Sequence, residues 1–224
     1  MQIKKILFFL IFLPLFSFDY YKPKTFTIML DPAGDAKDAG RTLNDSFERG
    51  ITVQFAQELK KSIESNYQNI RVVLTCVPGE TLEFLQNANF ANRLDVDFYL
   101  SIHFYKETDM RPKLFLYHYL NEPFYIQLPS NISFIKYNNA HLININKTLE
   151  YSNKIKQSLE THNQFDFKYL LGIPFKPLVG IKAPAIALEV GLKNSNDYKN
   201  FVVPVMLALQ PILNPHNYAH ITGR

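Results

Sequence analysis

The chain has 224 residues, of which 47% are hydrophobic, 20% charged and 14% aromatic. That is enough apolar material for one domain with a sizeable core, and too much for a disordered chain. The net charge of +4 comes with no Lys/Arg stripe interleaved with aromatics, which argues against a nucleic-acid-binding surface, and the single cysteine, Cys76, excludes an internal disulfide and a thiolate zinc centre.

The chain opens on a basic pair, Lys4-Lys5, followed by the apolar run Ile6 to Phe16, broken by Pro14, and then the small residue Ser17. This pattern predicts a secretory signal peptide over residues 1–17. The run falls short of the roughly 20 residues of a membrane span, so no stable span is expected after cleavage. The alternative is an uncleaved N-terminal anchor. Either way the rest of the chain is expected to be exported, to the periplasm or cell envelope, and losing Lys4 and Lys5 leaves a charge nearer +2.

Thr25 to Leu30 (TFTIML) predicts a strand that ends in a loop at Asp31-Pro32. Apolar residues at Ile51, Phe55, Leu59 and Ile63 recur every four positions and predict a helix over Glu48 to Ser65. Ile70 to Thr75 predicts a second strand. Thr81 to Leu94 predicts a helix with Leu82, Leu85, Ala88 and Ala91 on one side. Phe98 to His103 and Lys113 to Leu120 predict strands, and Lys147 to His162 a helix. Ala185 to Glu189 predicts a buried strand, and Tyr198 to Leu213 a closing helix kinked or split near Pro204. The aromatic stretch Phe104 to Tyr137 is expected to be core plus surface loop. Asn131-Ile132-Ser133 and Asn146-Lys147-Thr148 fit the glycosylation pattern, which has meaning only in a eukaryotic secretory pathway.

Strand and helix alternate over most of the chain. This predicts an α/β fold over residues 25–215: a single three-layer domain whose largely parallel, twisted central sheet is flanked by helices. Ligands of open α/β sheets gather beyond the carboxyl ends of the strands. Asp31, His103 and Glu189 stand at such ends, and Glu48 opens a helix, so groups distant in sequence can meet on one rim. Catalytic zinc takes three protein ligands from His, Glu or Asp plus water, and a further carboxylate serves as base. His103 and Glu48 suit the ligands, and Glu189 suits the base. Each also has an ordinary structural explanation: a hydrogen-bonded strand-end His, a Glu favoured by the helix dipole, and a Glu paired with a Lys.

Four ordered islands sharpen the choice. They are Ile28-Met29-Leu30-Asp31-Pro32 through Lys37-Asp38-Ala39-Gly40; Glu48 with its amphipathic helix; Ala91-Asn92 through Asp97 and Ser101-Ile102-His103; and Pro184-Ala185-Ile186-Ala187-Leu188-Glu189-Val190-Gly191. Together they resemble the zinc-dependent N-acetylmuramoyl-L-alanine amidases of bacterial cell-wall turnover, from Thr25 to about Leu213. The resemblance implies hydrolysis of the amide between N-acetylmuramic acid and L-alanine of peptidoglycan by a zinc-activated water. It implies Glu48 and His103 as zinc ligands and Glu189 as catalytic base.

The chain departs from the family at one position above all: the first ligand histidine falls on Gly34. Asp35 is the nearest substitute ligand, one residue off, and is otherwise a solvated turn residue. Asp31 and Asp38 fit less well, since the family keeps acids there beside its histidine. His118, His141, His162, His216 and His220 lie elsewhere. Asn87 stands where an Arg is usual, and Leu192 where Phe is. If nothing replaces the missing histidine, zinc is expected to be weakly held or absent. The alternative function is then a catalytically inactive relative that binds peptidoglycan or a protein partner of unknown identity without turnover. A third possibility is a secreted α/β domain of unrelated role.

Overall fold

The structure is a computed structural model and describes residues 25–75, 79–81, 83, 85–120, 136–161 and 165–214. The expected signal segment, Asn131-Ile132-Ser133, His162, His216 and His220 lie outside these residues.

Six strands form the main sheet, in the order β4-β1-β5-β8-β6-β7. They are β1 (Phe26–Pro32), β4 (Ile70–Leu74), β5 (Phe98–Lys106), β6 (Lys113–Tyr119), β7 (Asp166–Ile173) and β8 (Ala185–Leu192), while β2 (Thr42–Leu43) and β3 (Ser46–Phe47) form a small separate hairpin. The pairs β1–β4, β1–β5, β5–β8 and β6–β7 are parallel, and β6 runs antiparallel to β8. The helices are α1 (Glu48–Asn66), α2 (Gln86–Leu94), α3 (Ile145–Glu160) and α4 (Lys199–Leu213).

Period-two alternation sorts the strand residues onto two faces. On β5, Phe98, Leu100, Ile102 and Phe104 join the core under α1, α3 and α4, as do Ile186, Leu188 and Val190 on β8. Met29, Tyr99, Ala185 and Ala187 point the other way, to a smaller core with α2 and the segment around Leu178 and Ile181. The two cores on opposite faces of the sheet make the three layers. Asp31, Ser101, His103 and Glu189 continue the second set, so they emerge on one face, Asp31 near the end of β1 and the others within β5 and β8, which run three residues past His103 and Glu189 instead of ending there as expected.

Four local expectations are corrected. First, β1 continues through Asp31-Pro32 instead of ending at Leu30. The carbonyl of Leu30 accepts the Thr75 N–H, so Pro32, two residues on, faces the same side, beyond the end of β4 where no ladder donor is needed. Second, α2 starts at Gln86 because Leu85 adopts a left-handed conformation (φ 65°) that a helix cannot run through. Third, α4 is not split: it is one continuous helix that contains both Pro204 and Pro211. Finally, β7 was not expected from the sequence; it adds a parallel edge beyond β6.

Candidate active site

Each site residue is delivered by the element that holds it. His103 on β5 and Glu189 on β8 are register partners, side by side on adjacent parallel strands. Glu48 is the first residue of α1 and is 4% exposed. Its Oε2 accepts the Arg41 N–H at 3.1 Å, and its Oε1 accepts the Phe104 N–H at 3.1 Å. Burial pushes the Glu48 carboxyl up, but contact with His103 and these two backbone donors outweighs it and holds the group below its ordinary value. Gly40 makes this possible: a side chain there would place Cβ 2.9 Å from Glu48 Oε2, on a backbone with φ of 72°.

His103 is fixed from both sides of its ring. Ser101 Oγ donates to Asp31 Oδ2 at 3.1 Å and therefore accepts from His103 Nε2 at 2.9 Å. Nε2 then carries a hydrogen, and Nδ1 is turned to Glu48. Asp31 Oδ1 accepts from Thr75 Oγ1 at 2.7 Å and Asn87 Nδ2 at 2.8 Å. Burial raises the Asp31 carboxyl despite these donors. Phe175 meets the imidazole edge-on at 5.0 Å.

Nδ1 of His103 lies 3.4 Å from Glu48 Oε1. At that distance the nitrogen and the carboxylate oxygen can share a hydrogen or a metal ion. An imidazole nitrogen beside a carboxylate, with the imidazole's other nitrogen held by a hydrogen-bond relay, suits zinc in kind. It falls one protein ligand short in number. Among the described residues no group of three or more His, Cys, Asp or Glu side chains is placed to hold a metal.

The reason lies in the loop after β1. Gly34 has φ of 89°, and a Cβ there would come within 2.8 Å of Arg49 Cβ and 3.0 Å of the Asp38 carbonyl. Asp35 uses Oδ1 to accept the N–H groups of Lys37 (2.8 Å) and Asp38 (2.7 Å), and its carbonyl accepts from Arg49 Nη1. Oδ1 of Asp35 is thus engaged by its own turn, and Asp35 forms no metal-holding group with Glu48 and His103.

Glu189 is held by two residues that the sequence did not single out. Arg41 Nη1 forms an ion pair with Oε1, and the Tyr117 hydroxyl donates to Oε2 at 2.6 Å. Burial and this bond both raise the Tyr117 phenol, so it stays a donor. Ser101 was within reach of sequence reasoning, since it stands two residues from His103 on the same strand face. Arg41 and Tyr117 carried no such signal. Two grooves meet here. Asp31, Gly34, Asp35, Asn87, His103 and Lys176 are among the residues lining one. Arg41, Tyr105, Glu107, Lys113, Phe115 and Glu189 line the other. His118 and His141 sit apart from both.

Residues 28–208 match the family described as N-acetylmuramoyl-L-alanine amidase. The N-acetylmuramoyl-L-alanine amidase CwlM of Bacillus licheniformis is 34% identical over 76 residues, which is 34% of this chain and 30% of that protein. The sporulation-specific N-acetylmuramoyl-L-alanine amidase of Bacillus subtilis is 30% identical over the same shares. The match thus spans under a third of these curated relatives. Among solved structures, the catalytic domain of CwlV from Bacillus (Paenibacillus) polymyxa superposes with a TM-score of 0.57 at 17% identity, covering 85% of this chain and 99% of that one. Ami1 of Mycobacterium smegmatis gives 0.59 at 10% identity, over 86% and 99%. At these identities the structures speak for the fold.

Proposed function

The chain belongs to the N-acetylmuramoyl-L-alanine amidase family, and we propose that it hydrolyses the amide between N-acetylmuramic acid and L-alanine of peptidoglycan at this rim. The observation that carries the reading is the meeting of Glu48 with His103, and of His103 with Glu189 in register on one face of the sheet. Glu189 takes a proton from the attacking water and returns it to the leaving amine of L-alanine. Tyr117 orients that carboxylate. The Ser101–Asp31 relay sets the His103 ring, and the N–H groups of Arg41 and Phe104 set Glu48. Glu48 and His103 would hold the zinc, which supplies a Lewis acid and a more acidic water when bound. With Gly34 in place of a third ligand, its affinity is lowered. Loss of a supporting outer contact alone typically costs about 10–100-fold, and loss of a direct ligand costs more. The apolar segment at residues 6–16 supports action in the cell envelope.

Gly34 also favours a second reading, in which the chain binds the muramyl-peptide junction without turnover. The two separate on purified peptidoglycan supplied with excess zinc. Hydrolysis releases stem peptides with new L-alanine amino termini. Sedimentation with peptidoglycan and no new termini would establish the second reading in its place.

A further inference from the structure

Arg41 joins the two halves of the site. Its backbone N–H is bound to Glu48, and its guanidinium to Glu189. Its side chain is 49% exposed, against 12% for Glu189, and both line the second groove. The other cation lining that groove, Lys113, is already engaged by Glu107 at 3.8 Å and by Asp109. Among the described residues, the Arg41 guanidinium makes no ion pair with an acid other than Glu189. A planar fork with five donors therefore stands at the mouth of the groove with one acid to hold, and that acid is the base of the reaction.

We propose that Arg41 is the anchor for the substrate's own carboxylate, the one carried by the acidic residue that follows L-alanine in the stem peptide. This rests on the hydrolysis reading above. Guanidinium pairs with carboxylate through two parallel N–H···O bonds, which a lysine ammonium cannot reproduce. Neighbouring residues stand about 3.8 Å apart along a chain. An anion one residue beyond the cleaved amide therefore lies within about two residue spacings of the base, inside the reach of a guanidinium paired with it. On binding, Arg41 exchanges Glu189 for the substrate carboxylate. Glu189 remains held by Tyr117 and is released for proton transfer. A stem peptide whose carboxylate is amidated offers no charge to draw Arg41 away, so the site discriminates against it.

Titration calorimetry on the full chain without added metal, which suppresses turnover, tests this with two probes. They are N-acetylmuramoyl-L-alanyl-D-glutamate and its isoglutamine counterpart. The wild type is expected to bind the acid at least about tenfold more tightly, the scale of one charge-assisted pair. Arg41→Gln should erase that preference while leaving the amide's affinity within about threefold, and Arg41→Lys should restore it in part. A purely structural role for Arg41 would weaken both ligands alike. Equal binding of the two probes by the wild type, or a preference kept in Arg41→Gln, overturns the anchor. Failure of the wild type to bind either probe overturns the muramyl-peptide reading itself.

Discussion

Glu48, His103 and Glu189 could be named from sequence because each lies in a short, ordered motif, even though β5 and β8 run on past His103 and Glu189. Ser101 shares that legibility through its spacing from His103. Arg41 and Tyr117 do not, since their partner Glu189 lies 148 and 72 residues away and no local pattern encodes such a contact. Gly34 was legible as a missing ligand but not as a conformation. Its left-handed backbone and its closeness to Arg49 mean that a histidine cannot be restored there without moving the loop. A non-glycine residue in that region costs about 1–2 kcal/mol before any clash is counted. Gly34→His is therefore expected to lower the urea midpoint and to leave zinc affinity well below that of a three-ligand site. A variant as stable as the wild type with zinc bound 100-fold more tightly would show that the loop accommodates the ligand.

Strands β1, β4, β5 and β8 and helix α1 were readable because their apolar runs and spacings agree with their final environment. The start of α2 was not, since Leu85 leaves helical geometry in a segment whose composition suits a helix. The antiparallel placement of β6 against β8 was equally hidden, because strand direction is a non-local property. One packing contact ties an element directly to the site. Phe55 of α1 is fully buried and meets Phe104 of β5 edge-on at 5.3 Å, and the Phe104 N–H anchors Glu48. Phe55→Ala should destabilise the fold by about 3–5 kcal/mol in urea unfolding, the usual cost of emptying an aromatic site. A loss under about 1 kcal/mol would mean that this interface is not close-packed.

At the scale of the molecule, two grooves and two cores share one sheet, and no described helix is long and apolar enough to cross a membrane. Away from the site, and among the described residues, His118 and His141 each bury Nδ1 without a partner. Burial pushes both imidazoles below their ordinary value of 6.5, aided at His141 by its neighbour His118 and opposed by a backbone contact with Asn138. The unfolded chain then binds protons that the folded one refuses. This contribution to stability is present above pH 6.5 and is lost as pH falls from there through the lowered folded values. Between pH 7.5 and 5.5 the histidine contribution to the unfolding free energy should fall. The unfolding free energy itself should fall less over that range in a His118→Gln/His141→Gln variant. Equal slopes would remove these histidines from the account. The central claim is that distant groups form one hydrolytic site with Glu189 as its base. The most direct measurement is the ratio of peptide-release rates of wild type and Glu189→Gln on the same peptidoglycan at saturating zinc. A ratio of about 10²–10⁴, the usual worth of a general acid–base group, is predicted. A ratio near one, with the wild type active, would contradict it.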